Sequence, residues 1–254
     1  MATSQGATKL RTEMSGLIDL HCHYVPGIDD GAASADDGLA MLRGLAGLGF
    51  SRVVATPHTR PGMFDNTRAT ISEAFDRFVA GLPRSEPLPE LELSSEHYFD
   101  EIVFQRLLSG QALPYPGEKA ALLEFYQIDF PPMIQHRLFD LRSRGLLPVI
   151  AHPERYQCLW RSPETLERLV DGGAAALLDV AALIGKYGRK TQECAEVLLD
   201  RGLYHAACSD AHRPSDVLEV ARGIERLRDL YGDEEVEFLF REGPESLLAG
   251  NLPE

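Results

Sequence analysis

The strongest constraint on the fold is a set of seven short, mostly apolar runs punctuated by glycine and proline: Leu17 to Leu20, Arg52 to Ala55, Leu91 to Leu93, Ala120 to Leu123, Leu147 to Ala151, Ala175 to Leu178 and Leu203 to Ala207. Runs this short and this apolar read as strands buried on both faces. Between them lie stretches with helical spacing: Ser34 to Leu48, Asn66 to Val79, Asp100 to Leu108, Pro131 to Arg144, Pro163 to Val170, Gly188 to Leu199 and Ser215 to Leu230. Ser34 followed by Asp36 and Asp37 predicts a capped first turn, and Gly49 and Gly145 predict helix stops. Regular alternation of strand and helix predicts a parallel α/β sheet. At 254 residues its simplest closed form is a single-domain (β/α) barrel. An open doubly wound sheet is the alternative, but no glycine-rich loop stands between a strand and a helix to support it.

The residues that end these runs carry the chemistry. The first run ends in His21 and His23, the second in His58, the third in Glu96, the fourth in Glu124, the fifth in His152, and the seventh in Asp210 and His212. In parallel barrels the C-terminal ends of the strands share one mouth, so these side chains are expected to meet. Alternation along a strand puts His21 and His23 on one face with Cys22 on the other, and Asp210 and His212 on one face with Ala211 between. Glu96, Glu124 and His152 follow one another at equal intervals of 28 residues, about one strand-helix unit. Asp30, in the loop Pro26 to Gly31, adds a carboxylate. Imidazoles with carboxylates suit manganese, zinc or iron, and this many candidate ligands implies two or three ions. A single HxH is weak on its own, and His58 alone is readily a satisfied strand-end histidine. The recurrence at successive strand ends is what argues for a metal site. His97, His136 and His205 fall outside the pattern and read as helix-surface or neighbouring-face histidines.

Composition narrows the partners. With 39 acidic against 25 basic side chains and a formal charge of -14, a nucleic-acid backbone or an anionic membrane is disfavoured as main partner. No run approaches the roughly 18 apolar residues of a membrane span, and Met1 to Gly16 lacks the apolar core of a signal peptide. A cytoplasmic setting is expected. Residues 1–15 read as a loose arm before a domain over 16–254, and Met14, directly before the first strand, is a candidate translation start. Cys22, Cys158, Cys194 and Cys208 are widely spaced and form no CxxC pair, so all four are expected as small buried hydrophobes. No Cys-x5-Arg loop is present, which leaves a cysteinyl-phosphate route without support.

Taken together, Ile18 to His23 with Pro26 to Gly31, Ala55 to His58, Ser95-Glu96, Leu123 to Phe125, Ile150 to Tyr156 and Ser209 to His212 resemble the polymerase and histidinol phosphatase (PHP) superfamily. Within it the chain looks most like the bacterial manganese-dependent protein-tyrosine phosphatases of capsular and exopolysaccharide gene clusters. The resemblance covers residues 16–247. It implies a distorted seven-stranded barrel and three ions. His21, His23, Glu96 and Asp210 would hold the first, Glu96 with Glu124 and His152 the second, and Asp30, His58 and His212 the third. It further implies that Arg155 contacts the substrate phosphate, that a metal-bridging hydroxide attacks phosphorus, and that the partner is an autophosphorylating tyrosine kinase. The pattern departs after Asp210-Ala211-His212, where the family's asparagine and later arginine are missing; Arg213 is the candidate second phosphate contact. The segment around Asp179 is also altered, and Asp179 is left outside the site. Rival readings are a small-molecule phosphatase of the histidinol-phosphate type, which predicts little activity on peptides, and a non-catalytic metal-binding module, which predicts ions without turnover. A nuclease is disfavoured by charge and an amidohydrolase by the lack of a strand-end lysine. The apolar residues Phe238, Leu239 and Phe240 are expected to pack within the same chain.

Overall fold

The computed structural model describes residues 16–253; the expected arm and Met14 lie outside the described residues. Nine strands are found among them: β1 (Leu17–Cys22), β2 (Phe50–Ala55), β3 (His58–Thr59), β4 (Glu90–Leu93), β5 (Glu96–Tyr98), β6 (Ala120–Glu124), β7 (Leu147–Ala151), β8 (Ala175–Asp179) and β9 (Ala206–Cys208). All pairings are parallel, in a sheet ordered β1-β2-β4 and a second ordered β3-β5-β6-β7-β8-β9. The two extra strands are continuations. β2 runs into β3 through Thr56-Pro57 and β4 into β5 through Ser94-Ser95, so two of the expected strands are each split. Proline has no amide hydrogen to give to a ladder, which fits a break at Pro57.

The sequence led us to expect one closed ring of seven strands, and the ladder differs. At the seam between β1 and β9 only an isolated parallel bridge, Cys22 to Ala211, is made. It is accompanied by His23 N–H to Ala211 O at 2.9 Å and Asp210 N–H to His21 O at 2.9 Å. Asp210 has a left-handed backbone (φ 43°), which ends regular strand geometry there.

The helices are α1 (Ala35–Gly47), α2 (Arg68–Ala80), α3 (Glu101–Leu108), α4 (Ile134–Ser143), α5 (Glu164–Asp171), α6 (Arg189–Asp200), α7 (Asp216–Tyr231), α8 (Asp233–Glu237) and α9 (Gly243–Leu248). Ser34 caps α1 by accepting from the Asp37 amide, and Asp100 caps α3 by accepting from Val103. The expected start of α4 at Pro131 is corrected to Ile134. Pro131 is followed by Pro132, and a residue before proline is driven out of the helical region.

Strand parity explains why the runs are continuously apolar. Ala120 and Leu122, Leu147, Val149 and Ala151, Ala175 and Leu177, and Ala206 and Cys208 form an inner cluster with Ile18, Leu20 and Val54. Their neighbours Ala121, Leu123, Ile150, Ala176, Leu178 and Ala207 pack outward under the helices. The inner parity of β6 continues to Glu124, that of β8 to Asp179 and that beyond β9 to Asp210. Each strand thereby hands its next inner residue to the mouth. Leu239 and Phe240 are buried, and the Phe240 ring meets Phe50 edge-on at 5.6 Å, so this segment packs within the chain as expected. Cys22, Cys194 and Cys208 are buried, whereas Cys158 is only half-buried.

Two histidines outside the mouth make the fold acid-sensitive. His97 is buried with Nδ1 on the Leu122 carbonyl, and His205 accepts from the Ala176 amide at 3.2 Å. Burial pushes each down to about 4 from an ordinary 6.5. The unfolded chain therefore takes up these protons first as pH falls. Their contribution is complete above pH 6.5 and is lost between 6.5 and 4. Denaturant titration of His205→Gln across that window should give a shallower loss of stability than the parent chain, by about one proton in the slope. Equal slopes would exclude the assignment.

Candidate metal centre

The strand ends and the loop after β1 bring together all nine side chains expected from sequence. Glu96 is the hub: its carboxylate lies 3.4 Å from His21 Nε2, 3.6 Å from His23 Nε2, 2.8 Å from His58 Nδ1 and 2.9 Å from His152 Nε2. Asp210 Oδ1 is 3.1 Å from His21 Nε2 and 3.5 Å from His23 Nε2. Glu124 Oε2 stands 3.8 Å from His58 Nδ1. Asp30, largely exposed, approaches His58 Nε2 at 3.3 Å and His212 Nε2 at 3.7 Å from the solvent side. His212 stacks on His23 with ring centres 4.0 Å apart.

Ligand atoms cluster in four overlapping groups: His21, His23 and Glu96; His58, Glu96 and Glu124; His21, His152 and Asp210; and His23, His58 and His212. In this arrangement His152 sits with His21 and Asp210, and Glu124 with His58. His21 Nε2, His23 Nε2, His58 Nδ1, Glu96 Oε2, Glu124 Oε2 and Asp210 Oδ1 are all buried with no hydrogen-bond partner among the described residues. Buried polar atoms are ordinarily paired, so a group of ligand-type atoms facing one another without partners fits a cluster of cations. A mixed nitrogen and oxygen set suits manganese, zinc or iron.

The charge balance says the same. Burial opposes ionisation of Glu96, yet the neighbouring His21 and His58 outweigh it and hold the carboxyl well below its usual range. Burial likewise opposes ionisation of Asp210, and Arg155, His21 and His212 overcome it. Burial and the Glu96 charge push Glu124 up to about 7. Burial would lower His21 and His58, but the carboxylates raise them to about 10 and about 12. The buried carboxylates thus demand positive charge. Divalent cations meet that demand while leaving the imidazoles neutral and able to ligate.

Second contacts fix the rings. Thr56 Oγ1 sits 2.5 Å from His21 Nδ1, and Asp29 Oδ2 sits 2.8 Å from His23 Nδ1, so the Nε2 atom of each ring faces the carboxylates. Asp29 also accepts from the amides of Gly31 and His58. Gly31 is required by space: a Cβ there would lie 2.4 Å from the His23 carbonyl oxygen and 2.5 Å from His23 Cβ. His152 and Asp210 both hold left-handed backbones, φ 32° and 43°, a strain that recurs at functional sites.

Arg155 is largely buried, its side chain 15% exposed. Its Nη2 donates to both Asp179 and Asp210, and its guanidinium lies 3.8 Å over the Tyr187 ring. Glu154 is buried, accepting from Tyr204 Oη and the Asp179 amide. Arg213 is exposed on the rim, where its amide donates to Asp216. Sequence reading missed Thr56, Asp29, Asp179 and Tyr187. Asp179 was visible in principle, because it shares the inner parity of Ala175 and Leu177; Tyr187 carried no such signal.

A family described as "Capsular polysaccharide synthesis, CpsB/CapC" matches residues 17–249. The chain belongs to this family. Tyrosine-protein phosphatase YwqE of Bacillus subtilis (strain 168) is 34% identical over 197 residues, 77% of this chain and 77% of the relative. Tyrosine-protein phosphatase CpsB of Streptococcus pneumoniae is 26% identical over 246 residues, 93% of this chain and 100% of the relative. A solved structure from work on these two proteins, described as unique metal-dependent tyrosine phosphatases, matches with a TM-score of 0.85 at 30% identity, over 92% of this chain and 95% of that one. The phosphotriesterase homology protein of Escherichia coli matches at a TM-score of 0.55 and 14% identity, over 91% of this chain and 98% of that one, and shows the fold alone.

If Asp29 orients His23 for ligation, Asp29→Asn should weaken divalent-ion binding about 10- to 100-fold by calorimetry while leaving the circular dichroism spectrum in place. Unchanged affinity would show that the Asp29 contact is only structural.

Proposed function

We propose that this CpsB/CapC family member hydrolyses phosphotyrosine on protein as a metal-dependent phosphatase. The carrying observation is the set of unpartnered buried ligand atoms converging on Glu96 and Asp210, with a fixed arginine alongside. We assign His21, His23, Asp30, His58, Glu96, Glu124, His152, Asp210 and His212 as ligands of two or three ions, with manganese as the ion. The frame is read as a distorted barrel of seven strand-helix units, and the setting as cytoplasmic. The substrate we favour is an autophosphorylating bacterial tyrosine kinase of polysaccharide synthesis, in keeping with the family description.

Bound divalent ions would supply Lewis acidity and a water of lowered pKa as nucleophile. The residues supply position and charge. Arg155 enters the site already oriented: two carboxylates hold Nη2, Tyr187 supports the guanidinium plane, and Nε is buried with no partner among the described residues. Its remaining donors are free to take non-bridging phosphate oxygens, a pairing favoured by the planar fork. Because Asp210 touches both Arg155 and His21, phosphate position and ligand position are coupled through one carboxylate. Arg213, at the exposed rim, is assigned the second phosphate contact.

Protein stripped of metal should be inert on a phosphotyrosyl peptide and regain turnover with manganese; full activity in the stripped protein would sink the reading. Asp210→Ala should lose more than about 1,000-fold in turnover, since it removes a ligand and an arginine anchor together. Asp179→Asn is expected to keep the ions and raise KM about tenfold, because only the hold on Arg155 loosens.

A further inference from the structure

One side of the mouth is built differently from the rest of its rim. Residues 60–64, directly after β3, form a hydrogen-bonded finger: Arg60 N–H donates to Phe64 O at 3.0 Å, Phe64 N–H to Arg60 O at 2.8 Å, and Met63 N–H to the same Arg60 carbonyl at 3.0 Å. The finger lays the Phe64 ring parallel to His58, centres 5.3 Å apart, and leaves Met63 60% exposed. Next in the sheet, on β5, Tyr98 carries the Arg60 guanidinium 4.0 Å above its ring and pairs in register with Glu124. Tyr98 lies within electrostatic reach of Arg60, Glu124 and Tyr126. Beyond Glu124 the chain exposes Tyr126, Ile128 and Met133 at 58%, 53% and 64%.

Two properties of this strip are unusual for the molecule. Four of its ten exposed large hydrophobic side chains, among the described residues, sit on the loops after β3 and β6, which flank β5 and its Tyr98. A clustered apolar surface beside a polar site marks contact with a partner more often than chance exposure. Arg60 has no carboxylate within ion-pair distance among the described residues, although the chain carries a net charge of -14. It is a preorganised cation, flattened on an aromatic face, with its donors left for a visitor.

We propose that this strip docks the polypeptide flanking the phosphotyrosine, with Arg60 taking an acidic side chain of the segment and Met63, Tyr126 and Ile128 taking an aliphatic or aromatic neighbour. The proposal rests on the phosphatase reading above and adds sequence preference to it. The occupant is the substrate chain because the strip is continuous with the mouth: Phe64 touches the candidate ligand His58, and Tyr98 flanks Glu124. Flexible methionine and rigid tyrosine accept varied apolar partners, while the arginine contributes charge selectivity.

The test uses the manganese-loaded full chain with three substrates: 4-nitrophenyl phosphate, a phosphotyrosyl peptide with Asp, Glu and Leu beside the tyrosine, and the same peptide with Asn and Gln in place of the acids. The double variant Arg60→Ala/Tyr126→Ala should match the parent on the small ester and show about a tenfold higher KM on the acidic peptide with kcat retained. Arg60→Glu should prefer the uncharged peptide, reversing the order. Equal KM for variant and parent on the acidic peptide, or a parallel loss on the small ester, would overturn the docking surface while leaving the phosphatase reading intact. A parent inert on all three substrates would instead take down the phosphatase reading and the docking proposal with it.

Discussion

Glu96 is the interaction on which the site depends. Four imidazoles from three other strand ends and the loop after β1 reach one buried carboxylate. An ionised carboxylate in that position is costly unless positive charge surrounds it. The histidines provide some when protonated, and cations provide it in a form that keeps the histidines as ligands. β3, β5 and β7 belong to one parallel sheet and β1 to the other, so the hub is a product of the two sheets and not of any one loop.

Rigidity of the hub comes from contacts one layer out. Thr56 at the end of β2 holds His21, and Asp29 in the loop after β1 holds His23 while also tying down the backbone at His58 and Gly31. Asp29 therefore joins two strand ends. The split of β2 from β3 at Pro57 has a use in this setting, because it turns the chain so that His58 enters the site from a second sheet. His152 and Asp210, with left-handed backbones, end the regular strand geometry after β7 and β9.

Arg155, the proposed phosphate contact, is kept charged, oriented and partly accessible at once. Burial disfavours its cation, and the Asp210 and Asp179 carboxylates more than compensate, raising it well above the ordinary arginine value. Tyr187 closes the face of the guanidinium that the carboxylates do not reach. The result is a donor array with one edge fixed and one edge free. That geometry matches a group that must receive and release an anion repeatedly.

The amino-acid sequence determined the parallel α/β class, the seven apolar runs, and the eight ligand-type residues that end six of them, with Asp30 added from a loop, because buried strands need unbroken apolar stretches and a polar residue after one is expensive without a partner. Resemblance to the family also marked Arg155, in the segment Ile150 to Tyr156. Only tertiary structure decided the rest. That two strands are split, that the seam between β1 and β9 is a single bridge, and that His152 lies with His21 and Asp210 go with breaks or turns at Pro57, Ser94-Ser95, His152 and Asp210, where local sequence does not fix direction. The roles of Thr56, Asp29, Asp179 and Tyr187 were hidden for a related reason: each acts by touching a side chain 6 to 35 positions away in sequence, and such contacts exist only once the sheets have brought distant strand ends within a few ångströms of each other.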